Sequence, residues 1–283
     1  MNALIFVDTN IFLDFYRVHG VGKPLELLNL IGKHKDILIT GSQVEMEYKK
    51  NRQRVILEAL NALKTPDWNG LKVPAFLDDA KPAQLISKNK KIINTQQEKL
   101  KKRIASILEM PNRSDPVFKA LSQVFKRDSE YNLARDKEIR FKIRNLARKR
   151  FCLGYPPRKN NDTSIGDALN WEWIIHCAEI SGKDIVIVSR DSDYGVEYDK
   201  KYFLNDWLRL EFSERIGRRR KIVLTNKLAE AFNKVAIRVS AQAKRKEEEL
   251  VSELSGTTRS LQTNSSTIST GSCSADIQHM INA

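Results

Sequence analysis

The sequence predicts an α/β protein: a mostly parallel sheet with helices on both faces. Three observations lead there. Short runs of β-formers at residues 3–7, 37–40, 185–188 and 222–224 end abruptly on polar residues, as strands covered on both faces do. Stretches with helical apolar spacing lie between those runs, the order that βα units produce. Two of the runs deliver an aspartate, Asp8 and Asp191, to their carboxyl ends, where ligands gather in open α/β sheets.

The elements follow in order. After the strand at 3–7 and the polar break Asp8-Thr9-Asn10, Ile11, Phe12 and Phe15 carry a helical pattern. A helix opens near Pro24, a favoured first-turn residue, and places Leu25, Leu28 and Ile31 on one face. The strand at 37–40 leads through Gly41-Ser42 into a long helix reaching about Lys64, and residues 65–70 form a loop. Residues 80–151 are helical and very basic. Ile86, Ile93, Leu100, Ile104 and Leu108 recur at helical spacing, Met110-Pro111-Asn112-Arg113 breaks the run, and Val117, Leu121, Val124 and Phe125, then Ile139, Ile143 and Leu146, resume it. This stretch is expected to be an antiparallel helical hairpin or small bundle separate from the sheet. A turn-rich segment at 154–161 restores the α/β pattern, with a helix over 165–180, the strand at 185–188 and helical residues 203–214. The strand at 222–224 then leads through Thr225 into a helix ending near Val239. The expected organisation is a sheet domain in two parts, 1–64 and 160–240, a basic helical insertion at 65–159, and a tail at 241–283. The tail opens with mixed charge and becomes rich in Ser and Thr, so it is expected to lack stable structure.

The 283 residues, 41% of them hydrophobic, suffice for one sizeable core with material left for a subdomain or tail. Set against 35 Asp+Glu, 49 Lys+Arg leave a net charge of +14, which favours a polyanionic partner, nucleic acid first among them. Three cysteines, Cys152, Cys177 and Cys273, without metal-ligand spacing, argue against a disulfide framework or zinc knuckle and for a reducing compartment. The N-terminal apolar run is too short for a signal sequence and is interrupted by Asp8. No run reaches the roughly 18 apolar residues of a spanning helix. A cytoplasmic protein without a membrane partner is expected.

Four acids fall at equivalent points: Asp8 after the first strand, Glu45 in the first turn after the second, Asp167 in the first turn of the helix before the third, and Asp191 after the third, with Asp193 two residues on. In a parallel sheet these points share one edge. Clustered carboxylates repel one another in a cleft, and a hard divalent cation, Mg²⁺ or Mn²⁺, resolves the conflict with oxygen ligands. The chemistry to expect is metal-assisted displacement at phosphorus. Each acid also has a purely structural role open to it. Ser42-Gln43-Val44-Glu45 and Ser164-Ile165-Gly166-Asp167 match capping boxes, Asp8 suits a turn, and Asp191 or Asp193 suits a cap.

Val7-Asp8-Thr9-Asn10, Glu45, Gly166-Asp167-Ala168-Leu169 and Val188-Ser189-Arg190-Asp191-Ser192-Asp193 together resemble the PIN-domain nucleases, in a branch with a long insertion between the second and third acids. The resemblance covers residues 1–62 and 160–240. It implies a three-layer α/β/α sandwich that cleaves RNA, usually single-stranded, with Mg²⁺ or Mn²⁺. Many members of that family act as toxins, so an antitoxin or regulatory partner, and a toxin or defence role, come with it. By matching position Asp8, Glu45, Asp167 and Asp191 take the metal-site roles, Asn10 and Ser189 supporting hydrogen-bond roles, and Asp193 that of a fifth candidate acid.

The basic insertion suggests a helical arm that holds a nucleic-acid backbone through Lys90, Lys91, Lys101, Lys102, Arg148 and Lys149, and the family resemblance implies RNA rather than DNA. The alternative is a solvated helix face. Arg218-Arg219-Arg220-Lys221 is a second candidate phosphate contact, and His176, Trp171 and Trp173 are expected to pack their helix. Two other functions compete with the nuclease. A phosphatase of the haloacid dehalogenase type needs a second acid two residues after the first, but position 10 is Asn. A non-catalytic nucleic-acid-binding protein would have no need of all four acids.

Overall fold

The computed structural model describes residues 1–17, 25–62, 68, 71–157 and 164–266, with backbone alone at 62 and 255–266. The helix start at Pro24, most of the 65–70 loop, His19, Asp162, Cys273, His279 and the tail past 266 lie outside the described residues.

The first strand, β1 (Ala3–Val7), is buried at every position. Asp8 then caps the short helix α1 (Thr9–Leu13). Helix α2 (Glu26–Lys33) buries Leu27, Leu28 and Ile31 and leads to β2 (Leu38–Gly41), after which α3 (Ser42–Ala62) begins. The chain then forms α4 (Lys81–Glu109), α5 (Pro111–Ser114), α6 (Pro116–Phe125), β3 (Asn132–Leu133) and α7 (Ile139–Leu153). It continues through α8 (Gly166–Ser181), β4 (Asp184–Val188), the strands β5 (Gly195–Tyr198) and β6 (Lys201–Leu204), α9 (Asp206–Ile216), β7 (Ile222–Thr225), α10 (Leu228–Lys234) and α11 (Ala241–Ser266). No described helix is long and apolar enough to cross a membrane.

Five strands make one parallel sheet in the order β3-β2-β1-β4-β7, flanked by helices. Strand β1 lies between β2 and β4, which is why its sequence is a continuous apolar run. Its register with β4 runs from Ala3 opposite Asp184 to Val7 opposite Val188, so both strands end at the same level. From β1 the chain crosses to one side of the sheet, and from β4 to the other. The strand order therefore reverses between these two strands, and a crevice opens beyond their carboxyl ends.

The packing departs from the expected organisation in two places. Residues 116–153 are not a separate helical unit. Val117, Leu121, Val124, Phe125, Leu133, Ile143 and Ala147 join the same core as the sheet, α6 packs on α2, and β3 extends the sheet beside β2. Helical spacing reveals that α6 has a face to bury but not which element covers it. Among the described helices of the insertion, α4 and α5 stand apart from that core, and Ala83 is the buried residue of α4. A buried ion pair holds their base. Arg52 on α3 donates to Asp115 Oδ2 through Nε at 2.9 Å and Nη2 at 2.6 Å, and to the Ile107 carbonyl at 2.8 Å. Asp115 also accepts from the Phe118 N–H and so caps α6.

The second departure is α11, where a tail without structure is expected from residue 241. Ser240 caps it through the Ala243 N–H, and Ala243, Glu247 and Leu250 bury one face against the body of the protein. Glu247 accepts from the N–H groups of Leu228 and Ala229, capping α10. Three contact positions suffice to dock a helix whose remaining surface is charged, so its composition resembles that of a solvated segment.

Candidate functional site

Asp8 stands where β1 ends, with an extended backbone that suits a helix cap. Its Oδ1 accepts from the Thr9 N–H at 2.6 Å, and its Oδ2 accepts from Asn10 Nδ2 at 2.9 Å and from the Ser189 hydroxyl at 2.5 Å. That hydroxyl in turn accepts from the Asp191 N–H at 3.0 Å, so Ser189 links the ends of β1 and β4. Asp8 is only 7% exposed. Burial pushes its carboxyl up to about 6, the Ser189 hydrogen bond opposes this, Asp191 raises it, the Thr9 N–H opposes it, and Glu47 raises it. In mild acid, where a free aspartate is ionised, Asp8 keeps its proton unless a cation offsets the charge.

Glu47, on α3, reaches the same place. Its Oε2 accepts from the Thr9 hydroxyl at 3.1 Å and its Oε1 from Gln43 Nε2 at 2.6 Å. It passes so close to the start of α8 that a Cβ on Gly166 would lie 2.5 Å from Oε1, so a larger residue there would push the Glu47 carboxylate aside. The next residue, Asp167, offers its carboxylate to a group with Asp191 and Asp193 in which one oxygen of each lies within 4.8 Å of the others. The α8 start that carries Asp167 is held by a charge network behind it. The buried Arg150 of α7 pairs with Glu172 at 2.8 Å and with Glu211, and Arg215 bonds Glu172 at 2.9 Å.

Tyr194 closes the site from beneath. Its ring is fully buried, and its hydroxyl has no hydrogen-bond partner among the described residues. Burial first, then Asp167, Asp8, Glu47 and Asp191, hold its proton on far more tightly than in a free tyrosine. The Oδ1 of Asn10 likewise lacks a partner among the described residues. Unfilled acceptors beside clustered carboxylates suit a hard, hydrated cation. Beside the cluster, the Arg190 guanidinium bonds Asp14 within a small cavity that Glu247 also lines.

The structure brings Asp8, Asp167, Asp191 and Asp193 to one crevice, with Asn10 and Ser189 donating to Asp8. Glu45 is not with them: its Oε1 bonds Lys49 Nζ at 2.6 Å along the surface of α3. The capping-box spacing draws attention to Glu45. Each acid has a lysine within reach along the helix, Lys49 four residues after Glu45 and Lys50 three after Glu47, so sequence spacing does not tell them apart. Tyr194 gives no sequence signal apart from standing next to Asp193.

Of the six basic residues, Lys91, Lys101, Lys102, Arg148 and Lys149 are exposed and Lys90 is half-buried. Lys90 bonds the Leu71 carbonyl and Lys101 pairs with Glu98. Trp171 and Trp173 pack α8 as expected, and His176 stacks on Trp173 with ring centroids 5.3 Å apart.

A family model described as PIN domain matches residues 5–194, a span containing all five acids of the crevice. No curated protein and no solved structure matches the chain. With its parallel sheet, its crevice at the strand reversal and this match over more than half its length, the chain belongs to the PIN-domain family, whose members are generally nucleases.

Proposed function

We propose that the protein is a divalent-metal-dependent endoribonuclease that hydrolyses single-stranded RNA, with Asp8, Glu47, Asp167, Asp191 and Asp193 as its metal centre. The observation that carries this is the group of Asp167, Asp191 and Asp193, one oxygen of each within 4.8 Å of the others, with the carboxylates of Asp8 and Glu47 close enough to act on the same buried Tyr194. An all-oxygen donor set suits Mg²⁺ or Mn²⁺. When bound, such an ion supplies positive charge for a phosphate oxygen and acidifies a water. The chain's own residues do the positioning. Ser189 and Asn10 fix Asp8, Gln43 and Thr9 fix Glu47, and the α7–α8–α9 charge network fixes the helix that presents Asp167. RNA as substrate and a toxin role balanced by an antitoxin rest on the family resemblance, and a cytoplasmic setting on the three cysteines without ligand spacing and the lack of a long apolar run.

The test is cleavage of one labelled sequence made as single-stranded RNA and as DNA, with Mg²⁺, Mn²⁺ or EDTA. RNA should be cut with metal and spared in EDTA, and Asp191→Asn should reduce the rate by orders of magnitude. Cutting in EDTA, or a wild-type rate in the variant, defeats the proposal.

Part of the basic arm belongs to the same reading. Neutralising Lys91, Lys102, Arg148 and Lys149 together should weaken binding to all sequences alike. Each lost phosphate contact should flatten the dependence of log K on log salt by about 0.7. Lys90→Ala and Lys101→Ala should leave the slope alone, since those amines already have partners within the arm. An unchanged slope in the fourfold variant removes the arm from substrate binding.

A further inference from the structure

We propose that the outer face of the β5–β6 hairpin is a stacking platform for unpaired bases of a single-stranded nucleic acid leading into the carboxylate crevice. This rests on the nuclease reading and adds a binding surface to it. The ladder pairs Val196 with Phe203 and Tyr198 with Lys201, so alternation puts these four side chains on one face. The opposite face is tied down. The Tyr202 hydroxyl donates to Glu197 at 2.6 Å and accepts from Asn226 at 2.7 Å. At the root, a Cβ on Gly195 would lie 2.0 Å from the Phe203 carbonyl oxygen and 2.8 Å from Leu224.

The free face is apolar in an unusual place. Val196 is 65% exposed, Tyr198 76% and Phe203 49%. Neither ring touches another aromatic among the described residues, whereas nearby Trp207 is stacked on Tyr155 at 5.2 Å. A two-stranded ribbon is marginal alone and gains nothing by holding two rings in water, so such a patch marks an interaction surface. Its charge selects the partner. Asp199 and Lys200 turn the hairpin with φ of 49° and 59°, which sets Lys200 at the tip, and Lys201 lies on the same face as the rings. Aromatic faces interleaved with lysine suit bases and their phosphates, and paired bases have no free face to offer.

Position joins the platform to the crevice. β5 starts two residues after Asp193, and the Asn205 N–H donates to the Tyr194 carbonyl at 2.8 Å, closing the base of the hairpin against the buried tyrosine of the site. A strand of this length spans about 13 Å, so bases on the platform would lie within a few nucleotides of the acids.

The experiment uses the full chain and a short single-stranded oligoribonucleotide carrying one 2-aminopurine, titrated in EDTA so that metal-dependent cleavage cannot intervene. Wild type should bind and quench the probe's fluorescence. Tyr198→Ala/Phe203→Ala should lose the quench and bind about tenfold or more weakly, while a duplex of the same sequence should bind equally to both proteins. Tyr198→Leu keeps an apolar surface but no aromatic face. It should lose quench as well, and if it binds and quenches like wild type the surface serves apolar docking of another kind and the proposal fails. Absence of quench in wild type, or equal quench and affinity in the double variant, also overturns it. Quench that depends on the two rings, in a protein that cleaves nothing with any metal, would sink the nuclease reading and leave the platform standing.

Discussion

Glu47→Gln should reduce RNA cleavage by orders of magnitude, and Glu45→Gln should leave it within about twofold. The two residues sit two apart on one helix and differ in what they face. Glu47 is held by Thr9 and Gln43 beside Gly166 and contributes to the field that raises the carboxyl of Asp8. Glu45 is spent on Lys49 at the surface, an i,i+4 pair worth about 0.3–0.5 kcal/mol. The glutamine at 47 keeps an acceptor for Thr9 but loses the negative charge that a cation needs, so the fold should survive while turnover collapses. Initial rates and thermal melts on both variants check this. If Glu45→Gln were the inactive protein, the helix would have to present its other side to substrate.

Arg52→Met should cost about 3–5 kcal/mol of folding stability, the effect of removing one partner of a buried ion pair and leaving the other charge without compensation. Asp115 is almost fully buried, and with Arg52 gone it keeps, among the described residues, the Tyr16 hydroxyl and the Phe118 N–H. The double variant Arg52→Met/Asp115→Leu should recover most of the loss, short by about 1 kcal/mol for the missing cap of α6. Urea unfolding midpoints for the two proteins decide the matter. A loss below about 1 kcal/mol in the single variant would mean that the base of α4–α6 is held by its apolar contacts.

Much of this architecture can be read in the sequence because β1 and β4 are central strands: burial on both faces forces uninterrupted apolar runs, and the polar residue that ends each run marks the crevice. Asp8 and Asp191 are legible for that reason, and Asp167 because the helix start before β4 lies at the same edge of a parallel sheet. Glu47 is not, since a helix start offers two acids two positions apart and only the side chain's direction separates them. The two residues of β3 are too few for any period to register, and α6 looks like part of the arm because its apolar stripe does not say what it packs on. Helix α11 is hidden by its charge, and Arg150, in a run of exposed bases, is buried against Glu172.

The docking of α11 bears on how the protein is made. Glu247 supplies the cap of α10 and, with Asp14, sets the charge surroundings of Arg190, the residue between Ser189 and Asp191. A ribosome delivers the acidic loop well before it delivers residue 247. Until that helix has emerged and settled, α10 lacks its cap and the cavity beside Arg190 stands open to water.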